Sequence, residues 1–85
     1  MTVGEHIVRY CKEKHITYRE FASKVGYVTE AYICRVIRDD IIPRPLSFMD
    51  IAIALEMEPI ELVKEHYETF FEKAKNQRKK IDWSY

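Results

Sequence analysis

Eighty-five residues, with 14 Lys plus Arg balanced by 14 Asp plus Glu, make one small domain near the lower limit at which a core holds without staples. They supply no overall basic charge for a nucleic acid. A hydrophobic content of 47% excludes a disordered chain, and no apolar run of about 18 residues exists to span a membrane.

The N-terminus, MTVGEHIVRY, lacks a basic stretch followed by an apolar one, so a cytoplasmic protein without a signal peptide is expected. Thr2 and Glu5 have the spacing of a capping box and open a helix to about Lys14. Val3, Ile7, Tyr10 and Cys11 form its apolar stripe. His6 and His15 fall at exposed or boundary positions. Cys11 and Cys34 have no CxxC spacing and no clustered histidine, so two reduced thiols are expected, with no metal and no cofactor.

The stretch Thr17 to Asp39, TYREFASKVGYVTEAYICRVIRD, reads as two short helices hinged at Gly26. Thr17 and Glu20 form a second capping box, with Ile16 and Phe21 as a hydrophobic staple. Gly26 suits the left-handed stop after Val25, and Thr29 restarts the chain with Val28 and Ile33 as another staple. Phe21, Ala22, Val25, Ile33 and Val36 give each helix one apolar edge, and those edges must face each other.

Beyond it, Pro43 and Pro45 forbid continuation of the second helix. A fourth helix is expected from Pro45, with Arg44 a poor cap and Phe48, Met49, Ala52 and Leu55 as its core stripe; Ile51 is expected at the edge and Ile53 on the far side. A fifth begins at Pro59, stapled by Met57 and Leu62. Val63, Tyr67, Phe70, Ala74, Gln77 and Ile81 then continue a heptad-like seam to roughly Lys80. That seam either folds back over the first helix or meets its copy in a dimer. Ile81, Trp83 and Tyr85 alternate with Asp82 and Ser84, compatible with a short strand that adds to a partner, packs on the domain or stays loose.

FASKVG followed by TEAYICRVI, then Pro43, FMDIAIAL and PIELV, resembles the Cro/repressor (Xre-like) helix-turn-helix regulators over roughly residues 5 to 65. The resemblance implies an all-α, five-helix DNA-binding domain in residues 1–65; the C-terminal helix extension and tail in residues 66–85 run past the family's usual end, and their apolar seam makes them the expected dimerisation element. It also maps DNA-contact positions onto Thr29, Glu30, Ala31, Cys34, Arg35 and Arg38. Arg35 suits a guanine or a phosphate, Glu30 a cytosine and Ala31 a thymine methyl. Tyr32, Arg19, Lys24, Arg38 and Arg44 suit backbone phosphate, and the fourth helix's N-terminus lies near a phosphate in many family members. One departure stands out: the family usually has two residues between the motif helix and the next cap, whereas this chain has three, Gly26, Tyr27 and Val28. The extra residue rotates or displaces the third helix relative to the usual docking.

Ile37, Ile41, Ile42, Ile53 and Ile60 stand where the family is commonly polar, which adds apolar surface near the expected dimer residues Ile53, Ile60, Val63, Tyr67, Phe70, Ala74, Ile81 and Trp83. Charge is uneven: residues 17–46 carry five cations and four acids, and residues 47–74 two cations and seven acids, so the acid concentrates away from the helix pair. Neither a phosphate loop nor a nucleophile elbow is present, and an enzyme is not expected. The expectation is a dimeric, sequence-specific repressor on an inverted-repeat operator in double-stranded DNA. The alternative is a helix-turn-helix module that binds a protein, as an antitoxin or anti-repressor does.

Overall fold

The computed structural model describes residues 1–78, among which there are five α-helices and no strand. They are α1 (Val3–Lys14), α2 (Tyr18–Val25), α3 (Glu30–Ile37), α4 (Pro45–Ala54) and α5 (Pro59–Arg78). The architecture is all-helical, and no described helix is long and apolar enough to cross a membrane.

The helix starts are those the sequence encodes. Thr2 Oγ1 accepts from the Glu5 amide at 3.2 Å while the Thr2 amide donates to Glu5 Oε1 at 2.8 Å. Thr17 and Glu20 repeat this reciprocal pair at 3.0 and 2.9 Å. Thr29 Oγ1 accepts from the Tyr32 amide at 3.1 Å. Each cap satisfies donors that a helix start leaves unpaired, worth about 1 kcal/mol apiece. Arg44 caps α4 without a side-chain bond, and Pro45 at the first helical position needs no donor partner.

The stops are less conventional. Gly26 ends α2 at φ 114°, but α1, α3 and α4 end on His15 (φ 56°), Asp39 (φ 61°) and Glu56 (φ 60°). Each is a non-glycine residue in the left-handed region. After α3 the Asp40 amide donates to the Arg35 carbonyl at 3.0 Å and Asp39 to Val36 at 3.2 Å; after α4 Met57 donates to Ala52 at 2.8 Å and Glu56 to Ile53 at 3.0 Å. These paired closures absorb orphan carbonyls and offset the left-handed strain.

Val3, Ile7 and Cys11 of α1, Phe21 and Ala22 of α2, and Ile33 and Val36 of α3 share one core with Phe48, Ile51, Ala52 and Leu55 of α4 and Leu62 of α5. Tyr10 meets Phe21 edge-on at 5.8 Å. Gly4 lies flat against the end of α3, where a Cβ would stand 2.7 Å from Ile37 Cα.

Two expectations for α4 are corrected. Met49 is 46% exposed, not core, and Ile51 is fully buried, not an edge residue. The true stripe is Phe48, Ile51, Ala52 and Leu55, spaced three, four and seven along the helix. Met49 sits on the other side because α4 is apolar nearly all round, and its contacts with α2 and α5, not its composition, choose the inward face. Of the five isoleucines expected to enrich the surface, Ile37 and Ile41 pack against the core, while Ile42, Ile53 and Ile60 are exposed. The first half of α5 folds onto its own domain through Leu62 and His66, both buried. Ile81 and Trp83, with the alternating stretch around them, lie outside the described residues.

Candidate nucleic-acid interface

α3 is held against the core by Ile33 and Val36, both fully buried. Its opposite face carries Ala31, Arg35 and Arg38, all exposed, with Cys34 and Tyr32 half-buried at its borders. The spacing of four and three places the exposed trio on one outward stripe. Thr29 and Glu30 are exposed at the helix start, and the Thr29 hydroxyl is already engaged as the cap.

The three-residue turn is braced. Val28 packs on the core, while Tyr27 points outward and its hydroxyl donates to Ser47 Oγ at 3.2 Å. That bond ties the turn to the first turn of α4, beside Arg44. Tyr27, Arg44, Pro45, Leu46, Ser47 and Asp50 line a shallow cavity of about 620 Å³. The three-residue turn is therefore held by a contact to α4 and is not a loose bulge.

The expected cations are unequally free. Arg19 Nε lies 3.6 Å from Glu30 Oε2, and Arg38 Nε lies 3.2 Å from Asp40 Oδ2. Lys24 donates to the Tyr10 hydroxyl and stands over its ring, 4.6 Å from the centroid. Among the described residues Arg35 and Arg44 form no ion pair. Exposed pairs such as Arg19 with Glu30 contribute about 0–1 kcal/mol, so a phosphate can displace them.

Compared with family models, with curated proteins and with solved structures, the chain finds no match. The described residues contain no group of three His, Cys, Asp or Glu able to hold a metal ion. Cys11 and Cys34 are free thiols, and burial pushes the Cys11 thiol above its ordinary value.

One buried polar residue went unnoticed in the sequence. His66, 3% exposed, accepts the Val3 amide on Nδ1 at 3.0 Å, so its proton sits on Nε2, which is buried without a partner. Its ring stands edge-on to Phe48 at 5.3 Å and stacks over Phe70 at 6.4 Å. Nearby, His6 Nε2 and the Met1 amino group meet Glu65 at 2.9 and 3.1 Å. The one available signal was spacing, since His66 follows Leu62 by four on the inward face.

Burial holds the His66 imidazole below its usual pKa, with Lys73 and the Met1 amino group acting in the same direction against Asp39. The unfolded chain then binds a proton at about pH 6.5 that the folded chain refuses. Stability is full above that value and falls as the pH drops below it toward the folded value. Urea midpoints measured between pH 7.5 and about 5 should decline with acid, and a His66→Leu chain should lose that slope. The lowered Glu65 carboxyl, bonded to His6 and to the Met1 amino group, acts in a separate window below about pH 4.5.

Proposed function

We propose that the chain is a helix-turn-helix DNA-binding regulator of the Cro/repressor type that works as a pair and represses by occupying an inverted-repeat operator. The single observation that carries this reading is the outward stripe of α3, with Arg35 at its centre unpaired and Ile33 and Val36 anchoring the back of the helix. In the major groove Arg35 would reach a guanine edge, Glu30 and Ala31 would read neighbouring bases, and Arg38 would serve a base or phosphate. Arg19, Lys24, Tyr32 and Arg44 would hold the backbone, joined by the amide donors at the start of α4. Zero net charge makes one copy a weak, salt-sensitive binder. Two copies related by a two-fold axis would reach successive major grooves about 34 Å apart and bind far more tightly. Such a protein is a cytoplasmic regulator with neither catalytic residues nor a cofactor.

Fluorescence anisotropy with genomic fragments at low salt tests this directly, and absence of any sequence preference would sink it. Arg35→Ala is expected to weaken the preferred site by about 1–3 kcal/mol and to relax specificity at one base pair, whereas Arg44→Ala weakens all sequences alike.

A second reading has its own support. Leu46, Met49, Ile53, Ile60 and Phe71 are exposed on α4 and α5, more apolar surface than a lone domain needs. A protein-binding module, such as an antitoxin or anti-repressor, would use it. Co-purification with a stoichiometric protein, together with negligible DNA affinity, would favour that role.

A further inference from the structure

α4 and α5 pack side by side and each carries an apolar stripe on its outer face. On α4 it runs Leu46, Met49, Ile53; on α5 the exposed Ile60 and Phe71 are joined by Val63 and Tyr67, which are half-buried and also pack on the core, with Phe70 at the edge. Between them lies an apolar cavity of about 390 Å³ lined by Pro45, Met49, Pro59, Ile60, Val63 and Lys64. Ile60 is 73% exposed and Phe71 63% exposed. The 20 residues of α5 span about 30 Å, more than the 22 Å width of the molecule, whose long axis measures 47 Å. Leu62 and His66 in its near half are buried, whereas from Phe70 to Asn76 every residue but Ala74 is exposed, so the far half of the helix lies beyond the core. Tyr67, Phe70 and Phe71 form a connected aromatic group there, with centroids 5.7–6.5 Å apart.

We infer that the occupant of this face is a second copy of the chain, its α5 lying antiparallel so that the Phe71 ring of each copy enters the α4–α5 cavity of the other. With the two Tyr67 side chains beside the two-fold axis, the residue four positions after Tyr67 meets the residue four before it. Phe71 then lies opposite Val63, and Ala74, seven after, opposite Ile60. The polar edge of the stripe fits the same alignment. Antiparallel helices bring like edges together, and Lys64, Glu68, Lys75 and Glu61 all lie on one edge by helical periodicity. Lys64 of one copy falls within a turn of Glu68 of the other, and Lys75 within a turn of Glu61, each pair occurring twice by symmetry. Among these four residues the opposite-charge contacts outnumber the single like-charge contact, between the two Glu68 side chains beside the axis. Glu61, Lys64 and Glu68 take no part in the ion pairs formed within the described residues. A parallel alignment sets Phe71 against Phe71 and leaves each cavity facing only the other cavity. This arrangement gives a structure to the pairing invoked above, but it does not depend on DNA binding, and its test contains no DNA.

Sedimentation equilibrium of the full chain should show a reversible dimer. Lys64→Glu and Glu68→Lys should each raise the dissociation constant about tenfold or more, because each creates like-charge contacts on both sides of the axis. The double variant Lys64→Glu/Glu68→Lys should restore it. Orientation is read by cross-linking two single variants, Val63→Cys at a half-buried position and Phe71→Cys at an exposed one, with circular dichroism confirming that each variant keeps its helicity and mass spectrometry locating the links. A mixture of the two variants should form disulfides that join the thiol introduced in one chain to the thiol introduced in the other. Neither variant should link to itself at these positions, since the two copies of residue 63 stand about 12 Å apart in the antiparallel alignment, beyond disulfide reach. A parent chain that stays monomeric, single charge reversals without effect, or self-linking at residue 63 would overturn the inference. None of these outcomes bears on whether α3 reads DNA, which the anisotropy measurement decides separately.

Discussion

Gly4→Ala is expected to lower the stability of the fold by about 2 kcal/mol, even though alanine is the better helix former by up to about 1 kcal/mol. The added Cβ would lie 2.7 Å from Ile37 Cα and 2.8 Å from the Val36 carbonyl oxygen. Both neighbours are backbone, so no rotamer change relieves the clash, and α1 must lift from α3. Lifting also loosens Val3 and Ile7, which are buried on the same face. The midpoint of urea unfolding at pH 7.5 measures the loss. An unchanged or raised midpoint would mean that α1 and α3 do not meet at Gly4.

Phe48→Ala should cost about 3–5 kcal/mol, enough to unfold much of a domain this small. Phe48 is 2% exposed and joins two layers, its ring meeting His66 at 5.3 Å and Tyr67 at 6.2 Å. Removing it opens a void under α5 that Ala52 and Leu62 are poorly placed to fill, because neighbouring helices hold both. The expected result is loss of the α5 contacts before global unfolding, read as faster amide exchange in residues 62–69 than in α2. Uniform exchange across the chain would show that α5 contributes no separable layer.

Helix starts were legible because threonine caps and glutamates three residues later act locally, through bonds within one turn. The inward faces of α2 and α3 were equally plain, since Phe21 with Val25 and Ile33 with Val36 recur at helical spacing. α4 was not, because a helix apolar on nearly every side leaves the choice of inward face to its contacts, and so Met49 and Ile51 were exchanged. Three stops were invisible for another reason: His15, Asp39 and Glu56 have no feature that marks a left-handed residue. Nothing within the first turn of α1 marks the purpose of Gly4, which is the approach of a distant backbone. At the candidate interface the residue types were foreseeable, but the pairing of Arg19 with Glu30 and of Tyr27 with Ser47 depends on how α2, α3 and α4 are set against one another.

The bond from the Val3 amide to His66 spans 63 residues, and it sets an order of events during synthesis. As the chain leaves the ribosome, the Val3 amide emerges while the ring that accepts it in the folded chain has yet to be made. α1 through α4 can collapse around Phe21 and Ile33, yet the first turn is completed only after the early part of α5 has followed. Closing so long a loop costs little more than closing one half its length, so the delay is set by translation and not by chain search. Until then the part of α4 that α5 covers, around Phe48, stands open, and that interval is when the nascent chain is most exposed to aggregation.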